Sequence, residues 1–138
     1  NLNHAKKIIN SSKDDFLDVF KKWMRNCYTN NFSKIQSDLD WFNGQTRINK
    51  KAFLLYSLNL VRESFIKKIN SNLSRIVDEE LDFIEKFSQS LNQNASETII
   101  LEMNEAIRFL DRNANPKIIF LDLSLEISNV FKEMKQIA

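Results

Sequence analysis

Glycine and proline are almost missing from this sequence, and their scarcity limits the folds open to the chain. Gly44 is the only glycine and Pro116 the only proline among 138 residues. Tight turns between β-strands depend on these two residue types, which supply the backbone conformations that such turns need. Helices joined by asparagine- and serine-containing loops need neither. We therefore expect an all-α protein.

Apolar residues recur at helical spacing along most of the chain. The pattern predicts six helices, at about 13–29, 32–43, 47–70, 77–92, 97–112 and 116–136. Thr46 and Asn115 precede two of them as N-caps, and Pro116 suits a first helical position. Gly44 is expected to end the second helix in the left-handed conformation. The sequence thus predicts a single compact bundle of five to six helices.

The first twelve residues are polar and only weakly patterned. Ser12 then precedes Asp15 by three residues, which is a variant of the capping box that marks a helix start. We therefore interpret residues 1–12 as the end of a preceding element or a linker, and residues 13–138 as one helical domain. Because the sequence does not begin with Met, we also expect further domains upstream.

Side chains that could carry out bond chemistry are scarce. His4 is the only histidine and Cys27 the only cysteine, so we expect neither a zinc site nor a Cys–His or Ser–His nucleophile pair. One glycine cannot build a phosphate-binding loop. Cys27 shares a helix face with Phe20 and Trp23, which favours a buried core thiol over a reactive one. The sequence predicts no catalytic residue, no cofactor and no metal, and hence a protein that is not an enzyme.

The overall composition, with 43% apolar and 28% charged residues, is typical of a soluble globular domain. The longest uncharged apolar run, at 53–60, is too short to span a bilayer, and no signal-peptide pattern is recognisable. A single cysteine leaves no internal disulfide, which fits a reducing compartment. We therefore expect a cytoplasmic protein that does not bind membranes.

Two charged clusters leave functional alternatives open. Carboxylates gather at 78–85, where a buried pair would suit acid–base chemistry, although a solvated helix N-terminus explains them as well. The helix at 47–70 is basic at both ends, which fits either the solvated ends of a buried helix or contacts with nucleic acid or an acidic protein surface. The candidate polar contacts are Arg47, Lys50, Lys51, Arg62, Lys67 and Lys68.

The last predicted helix carries more apolar surface than one buried face requires. Its residues 118–125 are apolar almost all round, with Asp122 and Ser124 as the exceptions. A helix of this kind is normally buried on every side, so it is either the central helix of the bundle or it binds a partner chain. The candidate subunit-interface residues are Ile118, Phe120, Leu121 and Leu125.

Three segments together resemble a known family. Residues 107–125, with an asparagine-rich turn and then a helix that opens with an apolar run and Asp122, resemble the end of the collar domain of bacterial DNA polymerase III clamp-loader subunits. Phe16 to Tyr28 resembles the helix that opens this collar in subunits of the delta-prime type. Phe53 to Ile66 is similar to its long central helix. The resemblance covers about residues 13–135.

The resemblance to the gamma/tau and delta-prime subunits implies a role in DNA replication. In that family five collars associate in a ring, and the ATPase modules below them load the sliding clamp onto primed DNA. The chain would then be an oligomerisation domain with the gamma/tau and delta subunits as partners, reaching the clamp and DNA only through the parent complex. The alternative is a helical nucleic-acid-binding domain that uses the basic ends of helix 47–70.

Overall fold

Helices make up most of the part of the chain that the computed structural model describes, residues 2–69 and 79–137, with side chains described over 15–67 and 79–136. They are α1 (Leu2–Tyr28), α2 (Phe32–Asn43), α3 (Arg47–Ile69), α4 (Glu79–Ser90), α5 (Gln93–Asp111) and α6 (Pro116–Ile137). No β-strand occurs in these two ranges. None of the helices there is long and apolar enough to cross a membrane. The prediction of an all-α protein is therefore confirmed.

α5 packs against two other helices of the bundle, α3 and α6. α4 packs on α3, whereas α1 and α2 pack on α6 and on each other. α1 also reaches α3. Each helix buries an apolar face against at least one neighbour, as the helical spacing of apolar residues requires. The predicted compact bundle is thus confirmed as well.

Aromatic side chains fill the space where α1, α2, α3 and α6 meet. The Phe120 ring lies against Phe42 at 4.4 Å between ring centroids, and against Trp23 at 4.7 Å. Phe53 contacts the Trp23 indole at 5.7 Å. None of these four side chains is accessible to solvent. Since a buried aromatic residue removes roughly 150–250 Å² from water, this cluster contributes a large apolar contact among the four helices.

Asparagine residues form turns that glycine often forms in other proteins. Asn30, after α1, and Asn113, after α5, have φ angles of 53° and 62°. Asparagine enters this left-handed region more readily than most residues with a side chain, because its short polar group bonds locally. Asn31 begins α2 and Asn92 begins α5, and each side chain accepts a hydrogen bond from the backbone N–H three residues later. A chain with one glycine can therefore still turn sharply between helices.

The predicted helix caps are mostly confirmed. Thr46 Oγ1 accepts a hydrogen bond from the backbone N–H of Asn49 at 3.1 Å, and Asn115 Oδ1 accepts one from the backbone N–H of Lys117 at 3.0 Å. Gly44 follows α2 as predicted, but its φ of −74° is right-handed, so the predicted left-handed conformation is wrong. Its N–H donates to the Asp40 carbonyl at 3.1 Å and so continues the helical turn.

Two predicted helix starts are also wrong. α1 begins at Leu2 and not at residue 13, because neither glycine nor proline interrupts the segment and Ser12 lies inside a continuous helix. α5 begins at Gln93 and not at residue 97, because Asn92 caps the helix at the front of the polar break. A capping pattern alone thus does not separate a helix start from a helix interior.

The apolar residues of α3 differ in exposure. Leu54, Leu58 and Val61 form a buried stripe. Leu55 and Ile66, apolar residues beside that stripe, are about half exposed, and Leu55 lines a surface pocket together with Leu110 of α5. α3 is therefore covered on part of its circumference only.

Candidate interaction surface

The apolar residues of α6 are divided between the core and the surface. Ile118, Leu121 and Leu125 are 63%, 38% and 40% exposed, and their spacing of three and four places them along one side of the helix. Phe120 is fully buried in the aromatic cluster. This burial corrects the expectation of a partner contact at Phe120, which is a core residue. Three of the four candidate interface residues thus remain available to a partner.

Buried hydrogen bonds fix which side of α6 faces inward. Trp23 Nε1 donates to Ser124 Oγ at 2.9 Å, and Ser124 Oγ donates to the Phe120 carbonyl at 2.8 Å. Ser124 lies one turn after Phe120, so both residues are on the side that faces α1. Ile118 and Leu125 lie elsewhere on the helix circumference and are exposed, so their side of α6 faces away from the core.

α5 carries two exposed apolar side chains, one of which lies on the side facing α6. Leu101 is 65% exposed and Phe109 is 46% exposed. Phe109 follows Glu102 by two turns and lies on the same side of α5. Because the carboxylates of Asp122 and Glu126 on α6 act on Glu102, this side of α5 faces α6. The exposed apolar residues of the two helices, here named the α5–α6 surface, are Leu101, Phe109, Ile118, Leu121 and Leu125.

The α5–α6 surface is acidic as well as apolar. Partial burial raises the pKa of the Glu102 carboxyl above its ordinary value, and the repulsion of neighbouring carboxylates raises it further. Those neighbours are Glu126, Asp122 and Glu105. A partner that brings cations to this surface would relieve the repulsion. The surface therefore suits a partner with an apolar centre and a basic rim.

The basic residues at the start of α3 bind the chain's own helix ends. The Arg47 guanidinium donates to the Leu110 carbonyl at 3.1 Å, and Lys51 forms an ion pair with Asp111 at 2.9 Å, both at the end of α5. Lys50 donates to a backbone carbonyl in the turn before α3 at 2.9 Å. Cations are favourable at the C-terminal ends of helices, where carbonyls lack helical partners. These three candidates thus have an evident structural role.

The remaining basic candidates lie at the other end of α3. Arg62 is exposed and Lys67 is half-buried, while the side chain of Lys68 lies outside the described residues. Arg47 and Arg62 are about 22 Å apart along the helix at 1.5 Å per residue. The described cations of α3 therefore form two separated groups and not one patch.

The carboxylates at the start of α4 engage separate partners. Glu80 accepts from the Tyr56 hydroxyl at 3.0 Å, and Asp82 forms an ion pair with Lys86 at 3.1 Å. Residues two apart on a helix point to different sides, so these two do not form an acid–base pair. Residues 77 and 78, with which the fourth helix was predicted to begin, lie outside the described residues. Within the described ranges, no group of His, Cys, Asp and Glu is arranged to hold a metal ion.

The single cysteine is a core residue, as predicted. Cys27 is fully buried, with Sγ 3.6 Å from the Ser124 carbonyl oxygen. Burial raises the pKa of the Cys27 thiol to about 12, and a hydrogen bond with Ser128 opposes this only in part. At neutral pH the side chain is therefore the thiol and not the nucleophilic thiolate.

Sequence reasoning missed one buried polar pair. Asn26 Nδ2 donates to Asp38 Oδ2 at 2.8 Å, which joins α1 to α2. Burial raises the pKa of the Asp38 carboxyl, whereas the bond from Asn26 and the charge of Lys22 lower it. The available signal was spacing, because Asp38 lies three residues after Ile35 and four before Phe42 on the buried side of α2. A carboxylate at such a position predicts a buried partner.

Comparison with protein-family models, with curated proteins and with solved structures found no match in any of the three.

Proposed function

We propose that this chain is an assembly module, the collar domain of a bacterial clamp-loader subunit of the delta-prime type, which holds neighbouring subunits together while the sliding clamp is loaded. The observation that carries the proposal is the exposed apolar side of α6. Ile118, Leu121 and Leu125 stay accessible although the opposite side of the same helix is fully packed.

Grouping of the exposed residues is what supports a binding role. Single apolar residues on a protein surface are common and need no explanation. Here three large apolar side chains follow one another along one side of α6, and two more are exposed on the adjacent α5; extended apolar surface of this kind marks sites where proteins associate. Full burial of a large apolar side chain contributes about 1.5–3 kcal/mol. Completing the burial of several half-exposed residues would therefore stabilise a complex appreciably.

The charge on the α5–α6 surface narrows the kind of partner. Glu105, Asp122 and Glu126 act on Glu102, on the same two helices as these apolar residues, and Glu105 also pairs with Arg108 at 2.7 Å. A helix face from a neighbouring subunit that carries apolar residues flanked by Lys or Arg would complement it in both respects. Complementary charge speeds association and selects among partners more than it adds affinity.

Co-purification tests the proposal. The full-length subunit that contains this chain is expected to form a complex with the gamma/tau and delta subunits. Failure to bind either of these subunits would contradict the proposed function.

Nucleic-acid binding through α3 stays a prediction, and a DNA-binding measurement with the same protein can test it. It requires binding to DNA at low salt that weakens steeply as salt is added, and loss of that binding on charge reversal at Lys50, Lys51, Lys67 and Lys68. The assembly proposal expects no DNA binding by this chain alone, because the cations at the start of α3 are engaged with its own helix ends.

A further inference from the structure

A groove of about 400 Å³ lies between α1 and α4, with Phe131 of α6 also lining it. The two helices meet there through aromatic rings, because the Phe20 ring contacts Phe83 at 5.8 Å and Phe87 at 5.6 Å between centroids. Rings that fill the space between helices keep the backbones apart and leave the groove open. This α1–α4 groove shares no residue with the α5–α6 surface.

The walls of the α1–α4 groove are largely aromatic. Phe83 and Phe87 stack at 5.3 Å with their ring planes 16° apart, and Tyr28 meets Phe131 edge-to-face at 5.3 Å. Met24 completes the apolar lining with a flexible side chain that adapts to the shape of a ligand. Walls of this kind bind flat aromatic bodies through stacking and edge contacts.

The rim of the groove carries excess positive charge. Lys21, Arg25 and Lys86 line it, and among the described lining residues Asp82 is the one carboxylate. Asp82 pairs with Lys86 at 3.1 Å, so no carboxylate in the described lining balances Lys21 and Arg25. The Lys21 ammonium lies 5.5 Å from the centre of the Phe83 ring, which places positive charge directly beside the aromatic wall.

We propose that the α1–α4 groove binds a small organic anion with an aromatic body, whose ring packs on Phe83 and Phe87 while its carboxylate binds Lys21 and Arg25. The volume lies in the range of known small-molecule sites, which combine apolar walls with a few convergent polar groups. Arginine binds a carboxylate through two parallel N–H donors. The excess positive charge disfavours a cationic ligand of the same shape. This binding role is additional to assembly and does not depend on it.

Two probes that share a ring system and differ in charge test the assignment. At neutral pH 2-naphthoate is an anion and 2-naphthylmethylamine is a cation. Each is titrated into the ¹⁵N-labelled 138-residue chain, and binding is followed by the backbone amide NMR shifts. Naphthoate is expected to give saturable shifts around Met24 and Phe87, and the amine to bind at least about tenfold more weakly. Equal affinities, shifts confined to other helices, or no saturable naphthoate binding at millimolar concentration overturn the proposal.

Charge reversal distinguishes the groove from general attraction between a basic protein and an anion. The pair Lys21→Glu and Arg25→Glu is expected to weaken naphthoate binding about tenfold or more. The control pair Lys34→Glu and Lys117→Glu makes the same change of charge at exposed positions outside the groove and is expected to keep the affinity within about twofold. None of the four side chains is buried, so circular dichroism should report unchanged helix content. Equal losses of naphthoate affinity in the two double variants, or no loss in the Lys21→Glu, Arg25→Glu variant, contradict the assignment.

Discussion

The indole Nε1 of Trp23 donates a buried hydrogen bond of 2.9 Å to Ser124 Oγ and so joins α1 to α6 across 101 residues of sequence. The Phe120 ring, one turn before Ser124, stacks on the same indole. These two contacts hold α6 in one rotational orientation. Ile118 and Leu125 consequently face outward, where a partner can reach them.

Replacement of Ser124 tests the energetic importance of this bond. Ser124→Ala leaves the Trp23 N–H buried without its acceptor, which costs about 1–3 kcal/mol. We expect the free energy of unfolding, measured in urea, to fall by that amount. Ser57→Ala is the matched control, because Ser57 is also fully buried but its hydroxyl donates to the Phe53 carbonyl of its own helix at 2.8 Å. Equal losses in the two variants would argue against a stabilising role for the bond between α1 and α6.

Because α6 has a core side and a surface side, substitutions at nearby residues are predicted to change the free energy of unfolding by very different amounts. Phe120→Ala removes a ring packed between Phe42 and Trp23 and is expected to lower the free energy of unfolding by about 3–5 kcal/mol. Ile118→Ala changes an exposed residue and should alter it by no more than about 0.5 kcal/mol. Denaturant titrations of both variants measure the two values, and a larger loss at Ile118 would show that the assigned orientation of α6 is incorrect.

Local patterns in the sequence were sufficient to predict the helices. Apolar spacing gives their number and approximate positions, and side chains such as Thr46 and Asn115 fix starts because they bond to backbone only two or three residues away. The same local reasoning failed at Ser12, where a capping pattern occurs within a helix that nothing interrupts. Caps are therefore predictable where a break in the apolar pattern accompanies them.

The outward side of α6 could not be predicted from local patterns. Residues 118–125 are apolar almost all round, so periodicity alone does not distinguish the core side from the exposed side. The contact that decides it, between Trp23 and Ser124, joins residues far apart in the sequence. The one local hint is Ser124 itself, a small polar residue within an apolar seam. The acidic character of the α5–α6 surface likewise depends on the pairing of two helices.

Asp38 is expected to make the stability fall as pH rises through its titration. Burial raises the pKa of Asp38 above its ordinary value of 3.8, so the folded state keeps the proton to a higher pH than the unfolded chain does. Between these two pKa values the folded state binds more protons, and the free energy of unfolding decreases with rising pH. Asp38→Asn keeps an oxygen that accepts from Asn26 and carries no charge, which removes this dependence.

Urea titrations of wild type and Asp38→Asn, carried out from below pH 3.8 to neutral pH, measure how the free energy of unfolding of each protein depends on pH. The stability of the variant relative to wild type should be greater at neutral pH than below pH 3.8, the ordinary pKa of the group. A difference that stays constant over the whole range would mean that the Asp38 carboxyl titrates alike in the folded and unfolded chains.

The thiol of Cys27 should react only when the protein unfolds. It is fully buried, and its pKa of about 12 leaves almost no thiolate at neutral pH. Alkylation by iodoacetamide, followed by mass spectrometry, is expected to be slow in native buffer and to accelerate as urea unfolds the chain. Modification in native buffer as fast as in concentrated urea would contradict both the burial and the raised pKa.

The most direct test of the account is the effect of the α5–α6 surface on assembly. Leu121→Asp and Leu125→Asp are introduced together into the full-length protein that contains this chain, and its affinity for the proposed partners, the gamma/tau and delta subunits, is measured by sedimentation velocity. We predict a loss of about 30-fold or more, as for residues at the centre of an interface. Ile48→Asp, which changes an 81% exposed apolar residue on α3, should leave the affinity within about twofold. Wild-type affinity in the Leu121→Asp, Leu125→Asp subunit would contradict the account.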